Sequence, residues 1–360
     1  MQRIVVWVLP LLVQWAVANG QKDSSLSSFT VSGMIDVYYL YDFGNPADHQ
    51  RPGFVYAYNR HNEVALNLGM IKASYSQKAA RANFAMMAGT YANANLANEP
   101  GVFKNILEAN VGIKLSKTRD LWIDAGIFSS HIGWESAMGK DCWTITRSMA
   151  AENSPYYESG AKISYTTNNS KWLLSALLLN GWQHMQRPDG HNATSFGYQL
   201  TYKPNNSVLL NNSFFAGSDT PDSIKLQRYF QDIYGQFQLS SKWYVLLGFD
   251  IGIQQQSKGS NKYNTWYTPA AIVKYVADKK ISLAARGEYY ADDDGVMIRL
   301  ATNNGFRTFG YSVNADYRIN ENIVWRLEYG MYASKDDVFY KGNTTANSNK
   351  HFITALCIEL

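Results

Sequence analysis

From Phe29 to Leu360 the chain alternates apolar and polar residues in segments of about ten, and its charged residues keep to one parity. Residues two apart in a β-strand share a face. Phe29, Val31, Ile35, Val37, Tyr39 and Tyr41 therefore form one face of a first strand, with Thr30, Ser32, Asp36 and Tyr38 on the other. Trp243, Val245, Leu247, Phe249, Ile251 and Ile253 stand opposite Asp250 and Gln254, and Ile281, Leu283, Ala285 and Tyr289 opposite Arg286 and Glu288. Phe309 to Ile319 and Ile323 to Met331 repeat the pattern against Asp316, Arg318, Arg326 and Glu328. Glu108, Lys114, Glu158, Lys162, Arg228, Asp232 and Lys274 take the polar parity as well. Water tolerates an occasional charge on any exposed face; lipid does not, since Arg or Lys at the bilayer midplane costs about 2–4 kcal/mol. The exclusion of charge, with Tyr and Trp near strand ends, makes the apolar face a lipid-facing one and the polar face an interior.

About sixteen such segments are present, near 29–42, 62–73, 80–91, 103–116, 120–129, 157–166, 171–180, 193–203, 207–216, 227–239, 243–254, 263–276, 280–291, 306–319, 323–333 and 351–360. In the second, Val64, Leu66, Leu68 and Met70 change phase before Ala73 and Tyr75, which requires a bulge. Trp172 to Leu179 and Val208 to Phe215 are apolar on both parities. Seven joins are short and rich in turn residues (76–79, 116–120, 167–170, 204–206, 240–242, 278–280 and 320–322), and they alternate strictly with eight longer ones. The expected fold is all-β: a transmembrane antiparallel up-and-down barrel of about 16 strands, between 14 and 18, with short periplasmic turns and long extracellular loops. Closure removes the sheet edges that lipid cannot hydrogen-bond. The last segment, Phe352 to Leu360, is apolar at alternate positions and is the part that barrel-assembly machinery would read, although Leu360 replaces the usual terminal aromatic.

Residues 1–20 read as a signal peptide: Met1-Gln2-Arg3 is basic, Ile4 to Val17 largely apolar, and Ala16-Val17-Ala18 or Ala18-Asn19-Gly20 offers a small-residue cleavage site. This implies export, cleavage near Gly20, and a single barrel domain over 21–360 in the outer membrane of a gram-negative bacterium. No later run is long and apolar enough for a spanning helix. Hydrophobic residues make up 46% but charged residues only 17%, so uncharged polar side chains supply most of the polarity. The formal charge is +4 with the basic residues scattered, which argues against a nucleic-acid partner. Cys142 and Cys357 are too few for a disulfide scaffold and read as free thiols.

No catalytic or cofactor motif emerges. The six histidines lie in or beside loops without zinc-site spacing, and neither a nucleophile elbow nor a phosphate-binding loop is present. No cofactor or metal is expected. Ser130-His131 with Glu135 would be the only seed of a hydrolase, and spacing alone gives it no support. The loop 131–156 is the most informative, because His131, Trp134, Glu135, Lys140, Asp141, Arg147 and Glu152 mix aromatics with both charge signs. Folded inward, these residues would form a constriction that selects by width and by opposing fields; packed at the rim or against another subunit, they would not. Asp36, Glu108, Lys114, Asp250, Arg286, Glu288, Arg318 and Arg326 are the expected lumen wall, either selecting solutes or forming wall salt bridges. A barrel of this size has room for an aqueous lumen.

Several motifs carry a resemblance: Tyr58-Asn59-Arg60-His61-Asn62-Glu63, Gly89-Thr90-Tyr91-Ala92-Asn93, Asn98-Glu99-Pro100-Gly101 and Ser130-His131-Ile132-Gly133-Trp134-Glu135-Ser136. Gly139-Lys140-Asp141-Cys142-Trp143-Thr144, Glu152-Asn153-Ser154-Pro155-Tyr156-Tyr157-Glu158-Ser159-Gly160 and Asn180-Gly181-Trp182 continue it. The chain resembles the OmpL-like β-barrel porin family of outer-membrane proteins, abundant in Bacteroidetes-type bacteria. The motifs are dense over 29–185, and the second half matches mainly in its alternation. The resemblance implies a non-enzymatic channel for passive diffusion of small polar solutes, with lipid as the surrounding partner and a homo-oligomer as one form. The rival functions are surface binding or adhesion, and hydrolysis within the barrel wall.

Overall fold

A computed structural model describes residues 28–300 and 302–360. The export signal read in residues 1–20 lies outside them. The first half contains β1 (Phe29–Asp42), β2 (Val64–Ser76), β3 (Ala80–Ala88), β4 (Ile106–Lys114), β5 (Asp120–Ser129), β6 (Tyr157–Thr166), β7 (Trp172–Leu179) and β8 (Ser195–Asn205). The second contains β9 (Val208–Ser218), β10 (Gln227–Gln238), β11 (Trp243–Gln255), β12 (Tyr263–Val276), β13 (Ile281–Asp292), β14 (Phe306–Arg318) and β15 (Ile323–Ser334). A two-stranded hairpin, β16 (Phe339–Lys341) and β17 (Thr344–Ala346), precedes β18 (Ser348–Glu359). Short helices α1 (Thr90–Asn95) and α2 (Met149–Glu152) lie in long loops.

Sixteen strands close into one antiparallel barrel, as the alternation of short and long joins requires. Closure comes from β1, which pairs with β2 on one side and β18 on the other, setting Met34 against Glu359 and Asp42 against His351. Every barrel strand thus has two neighbours, the condition for crossing lipid without unpaired backbone. Both ends of the barrel sequence meet at the short-turn rim, where Gly33 and Leu360 exchange backbone hydrogen bonds of 3.3 and 2.9 Å.

The two faces divide as the sequence predicts. Ile71, Val111, Leu247 and Val313 point outward and are exposed, whereas Asp36, Asp232, Arg286 and Glu328 lie on the opposite parity and are buried. Outward Trp172, Trp243 and Trp325 gather near the short-turn rim, and Tyr267, Tyr289 and Phe309 near the other end, as two interfacial belts.

Two expectations need correction. The phase change in β2 falls earlier than between Met70 and Ala73. Asp36 pairs with Leu68 and Val37 with Leu66, so Asn67 is the extra residue. Val64 and Leu66 face out, while Leu68 and Met70 face in. The bulge aims the Asn67 amide inward, where it donates to Asp36 at 3.0 Å and accepts from the Tyr58 amide at 3.0 Å. Nor does the inward stripe simply border water. Met34, Tyr38 and Leu40 of β1, with Ile353 of β18, pack against Tyr58 and Ile145 from two long loops. Leu177, Leu179 and Phe215 do the same with Phe54, Ile132 and Met149. That is why β7 and β9 read as apolar on both parities: one face meets lipid and the other meets an internal apolar layer.

Candidate functional site

The segment 130–156 joins β5 to β6 and holds its shape through its own backbone. Arg147 is fully buried and donates to three main-chain oxygens: Nε to Ser136 at 2.7 Å, and the terminal nitrogens to Ile145 at 2.5 Å and Ala137 at 3.1 Å. Glu135 accepts from the Ser148 amide at 2.9 Å and from its hydroxyl. The Ser148 hydroxyl in turn caps α2 by accepting from Ala151. A guanidinium has five donors and no acceptor, so one arginine can pin several carbonyls of an irregular segment.

Wall side chains then grip this folded segment. Arg286 donates to the Thr144 and Thr146 hydroxyls at 2.8 and 2.9 Å and to the Thr146 carbonyl. Glu328 accepts from the Thr146 amide at 2.9 Å and from its hydroxyl. Glu288, paired with Arg286 at 3.1 Å, also accepts from the Met149 amide at 2.6 Å. Arg326 bridges Asp316 at 2.7 Å to the Gly139 and Cys142 carbonyls at 2.6 and 3.0 Å. On the other flank His131 is held between Glu158 and the Phe214 carbonyl, each at 2.8 Å. Trp134 packs edge-on against Tyr234 and flat over the bare backbone of Gly248, where a Cβ would come within 2.5 Å of its ring. Any side chain there would displace the indole.

The first long loop is tied in as well. Glu152 accepts from the amides of Tyr56 and Ala57 at 2.9 and 3.2 Å, and the Tyr58 hydroxyl donates to Asp36 at 2.6 Å. Burial pushes the Glu152 carboxyl up to about 7, with the two amides and Arg147 pulling the other way. Because its acidity is weaker when docked than when free, protonation favours docking. The contribution is full below the ordinary value of 4.5 and is lost as pH rises through about 7. Single-channel current is therefore expected to fluctuate more at pH 8 than at pH 5.5, and Glu152→Gln should remove the difference. A difference that persists in Glu152→Gln would assign it elsewhere.

Of the sequence-derived candidates, His131, Trp134, Glu135, Arg147 and Glu152 join Asp36, Arg286, Glu288 and Arg326 in this one assembly. Asp250 lies beside it, buried and in register with Asp232, which accepts from the Gly133 amide. Lys140 and Asp141 instead reach the short-turn rim, where Lys140 meets Glu359 at 3.0 Å. Arg318 is exposed at the same rim. Glu108 and Lys114 belong to a separate ladder on β2 to β5, which pairs Lys72 with Glu108, Arg81 with Asp124 and Lys114 with Asp120. Gly112 makes room for the Arg81–Asp124 pair, since a Cβ there would clash with the Asp124 carboxylate. The sequence reading misses Tyr58, Thr144, Thr146 and Ser148 as anchors. Only their neighbourhood in the quoted motifs signals them.

A family model described as "putative beta-barrel porin-2, OmpL-like" matches residues 28–360. The chain belongs to this family. Its barrel is also similar to solved structures at low identity, which bears on fold alone. An anion-selective porin from Comamonas acidovorans is 9% identical, with 92% of this chain and 99% of that one covered and a TM-score of 0.61. OmpT, an outer-membrane protein of Vibrio cholerae, is 9% identical over 94% and 99% of the two chains, with a TM-score of 0.59. The outer-membrane channel DcaP of Acinetobacter baumannii is 9% identical over 95% and 99%, with a TM-score of 0.53. No curated protein matches the sequence. Membership of this family makes the chain a β-barrel porin.

Proposed function

We propose that the segment 130–156 is the constriction of a passive porin for small polar solutes, held across the inner wall by Arg286, Arg326, Glu288 and Glu328. The observation behind this reading is that grip: four wall side chains on β13 and β15 bind backbone and hydroxyl groups of a loop that starts and ends on β5 and β6. A bridge between strands so far apart around the barrel narrows what passes between them. The side chains of both signs are spent on holding it, which supports a structural role for most of them.

The reading includes no catalytic step. Both ring nitrogens of His131 are engaged, by Glu158 and by a carbonyl, so neither is free to take a proton from Ser130. Homo-oligomerisation belongs to the proposal, to be tested by cross-linking in native membranes. So does recognition of β18 by the assembly machinery.

Planar-bilayer recording tests the central claim. The folded protein, verified by heat-modifiable gel mobility, is expected to give stepwise conductance. Replacing residues 134–150 by a short Gly-Ser linker should raise the step several-fold. An intact barrel with no steps would overturn the channel, and an unchanged step after the replacement would overturn the constriction.

A further inference from the structure

We infer that the passage prefers anions, and that Lys162 and Lys274 set this preference. The inference rests on the channel reading above and concerns which charges inside the barrel remain available to a passing solute. Counting charges along the inner face suggests balance, because both signs are present. Pairing and burial remove the balance.

The interior carboxylates are spent. Glu108 and Asp124 are in ion pairs with Lys72 and Arg81, Asp316 with Arg326, and Glu288 with Arg286. In the first two pairs the cation is the more exposed partner: side-chain exposures are 29% against 14% for Lys72 and Glu108, and 33% against 6% for Arg81 and Asp124. Asp232 and Asp250 have no cation within 4 Å among the described residues, but they are 0% and 1% exposed, behind the stretch that holds Gly133 and Trp134. An ion in the lumen sees little of any of them.

On the inner face of the barrel strands, the unmatched charge that reaches water is basic. Lys162 projects from the inner face of β6, half-buried, with its ammonium 4.6 Å over the Phe128 ring and no carboxylate within 4 Å among the described residues. It is in register with Asp124, whose two oxygens are both taken by Arg81. Lys274 on β12 and Arg318 at the rim of β14 are likewise without an ion pair among the described residues. At the short-turn mouth one cavity of about 540 Å³ is lined by Lys171, Lys203, Trp143 and several side-chain amides without a carboxylate, whereas a second, of about 300 Å³, sets Lys274, Lys280 and Arg318 beside Asp278, Asp316 and Glu321. A paired charge presents only a short-range dipole, whereas an unpaired one in a low-dielectric wall projects a field along the pore. Lys162 on one side of the barrel and Lys274 on the other would therefore raise the local concentration of small anions and repel cations.

Reversal potentials of the full-length protein in planar bilayers under a potassium chloride gradient test this. The wild type is expected to show a potential of the sign given by chloride permeating faster than potassium. Lys162→Glu with Lys274→Glu should move it through zero, and the milder Lys162→Gln with Lys274→Gln should move it toward zero if the glutamates perturb folding. A cation-preferring wild-type channel would overturn the inference and leave the porin intact. An anion preference unmoved in folded Gln variants would overturn the role of the two lysines. A folded protein without conductance would instead sink the channel reading on which both depend.

Discussion

Arginine in place of Leu247 is expected to cost the barrel about 2–4 kcal/mol, whereas arginine in place of Leu239 should cost about 0–1 kcal/mol. Both leucines are exposed, Leu247 at 51% and Leu239 at 68%, and they sit eight residues apart. They differ in depth. Leu239 lies in the turn between β10 and β11, just short of Trp243 in the interfacial belt, while Leu247 lies four residues further along β11, past that belt. In water the two substitutions would be alike. In a bilayer the first leaves its charge among headgroups and the second drags it into hydrocarbon. Denaturant titration of protein folded into lipid vesicles, followed by tryptophan fluorescence, separates the cases. Equal small effects would mean that the apolar face does not meet acyl chains.

That face was readable in the sequence because it is a local property. Parity along a strand repeats every two residues, and Leu247, Phe249 and Ile251 announce their side without reference to any other part of the chain. The strand number was readable for a similar reason, since turn chemistry at 278–280 or 320–322 is written in adjacent residues. What could not be read is which inward residues meet water. Arg286 and Thr144 are 142 positions apart, and Thr146 and Glu328 are 182 apart. No periodicity links them. The bulge at Asn67 is intermediate: the change of phase in β2 shows locally, but its position is fixed by Asp36 and Tyr58. The same limit applies to charge: both signs fall on the inner parity, but which of them are paired is a matter of contact and not of composition. Trp134 and Trp143 share one loop, yet one covers Gly248 while the other lies edge-on to Tyr244, which no local pattern distinguishes.

Removing Arg286 should release the segment 130–156 from the wall while leaving the barrel closed. Its side chain is 1% exposed and engages Glu288, Thr144 and Thr146 together, with Glu328 at 3.9 Å. In Arg286→Ala the carboxylates of Glu288 and Glu328 remain buried without a counter-charge. Breaking a buried pair in this way typically costs about 3–5 kcal/mol. The strand ladder does not depend on this side chain, and the nearest relief for two stranded carboxylates is water, which reaches them only if the loop lifts. Cys142 offers a built-in reporter, being a free thiol, buried, on the same segment. With Cys357 replaced by serine, maleimide labelling of Cys142 is expected to be much faster in Arg286→Ala than in its parent, and the single-channel step should grow. Heat-modifiable mobility should stay unchanged in both. Restoring a charge-free contact by Glu288→Gln and Glu328→Gln alongside Arg286→Ala should slow labelling again, because the stranded charges, and not the lost side chain as such, drive the opening. If labelling in Arg286→Ala matched the parent in a closed barrel, the segment would be held by its apolar contacts around Ile145 and Met149 instead, and the polar grip would have no mechanical role.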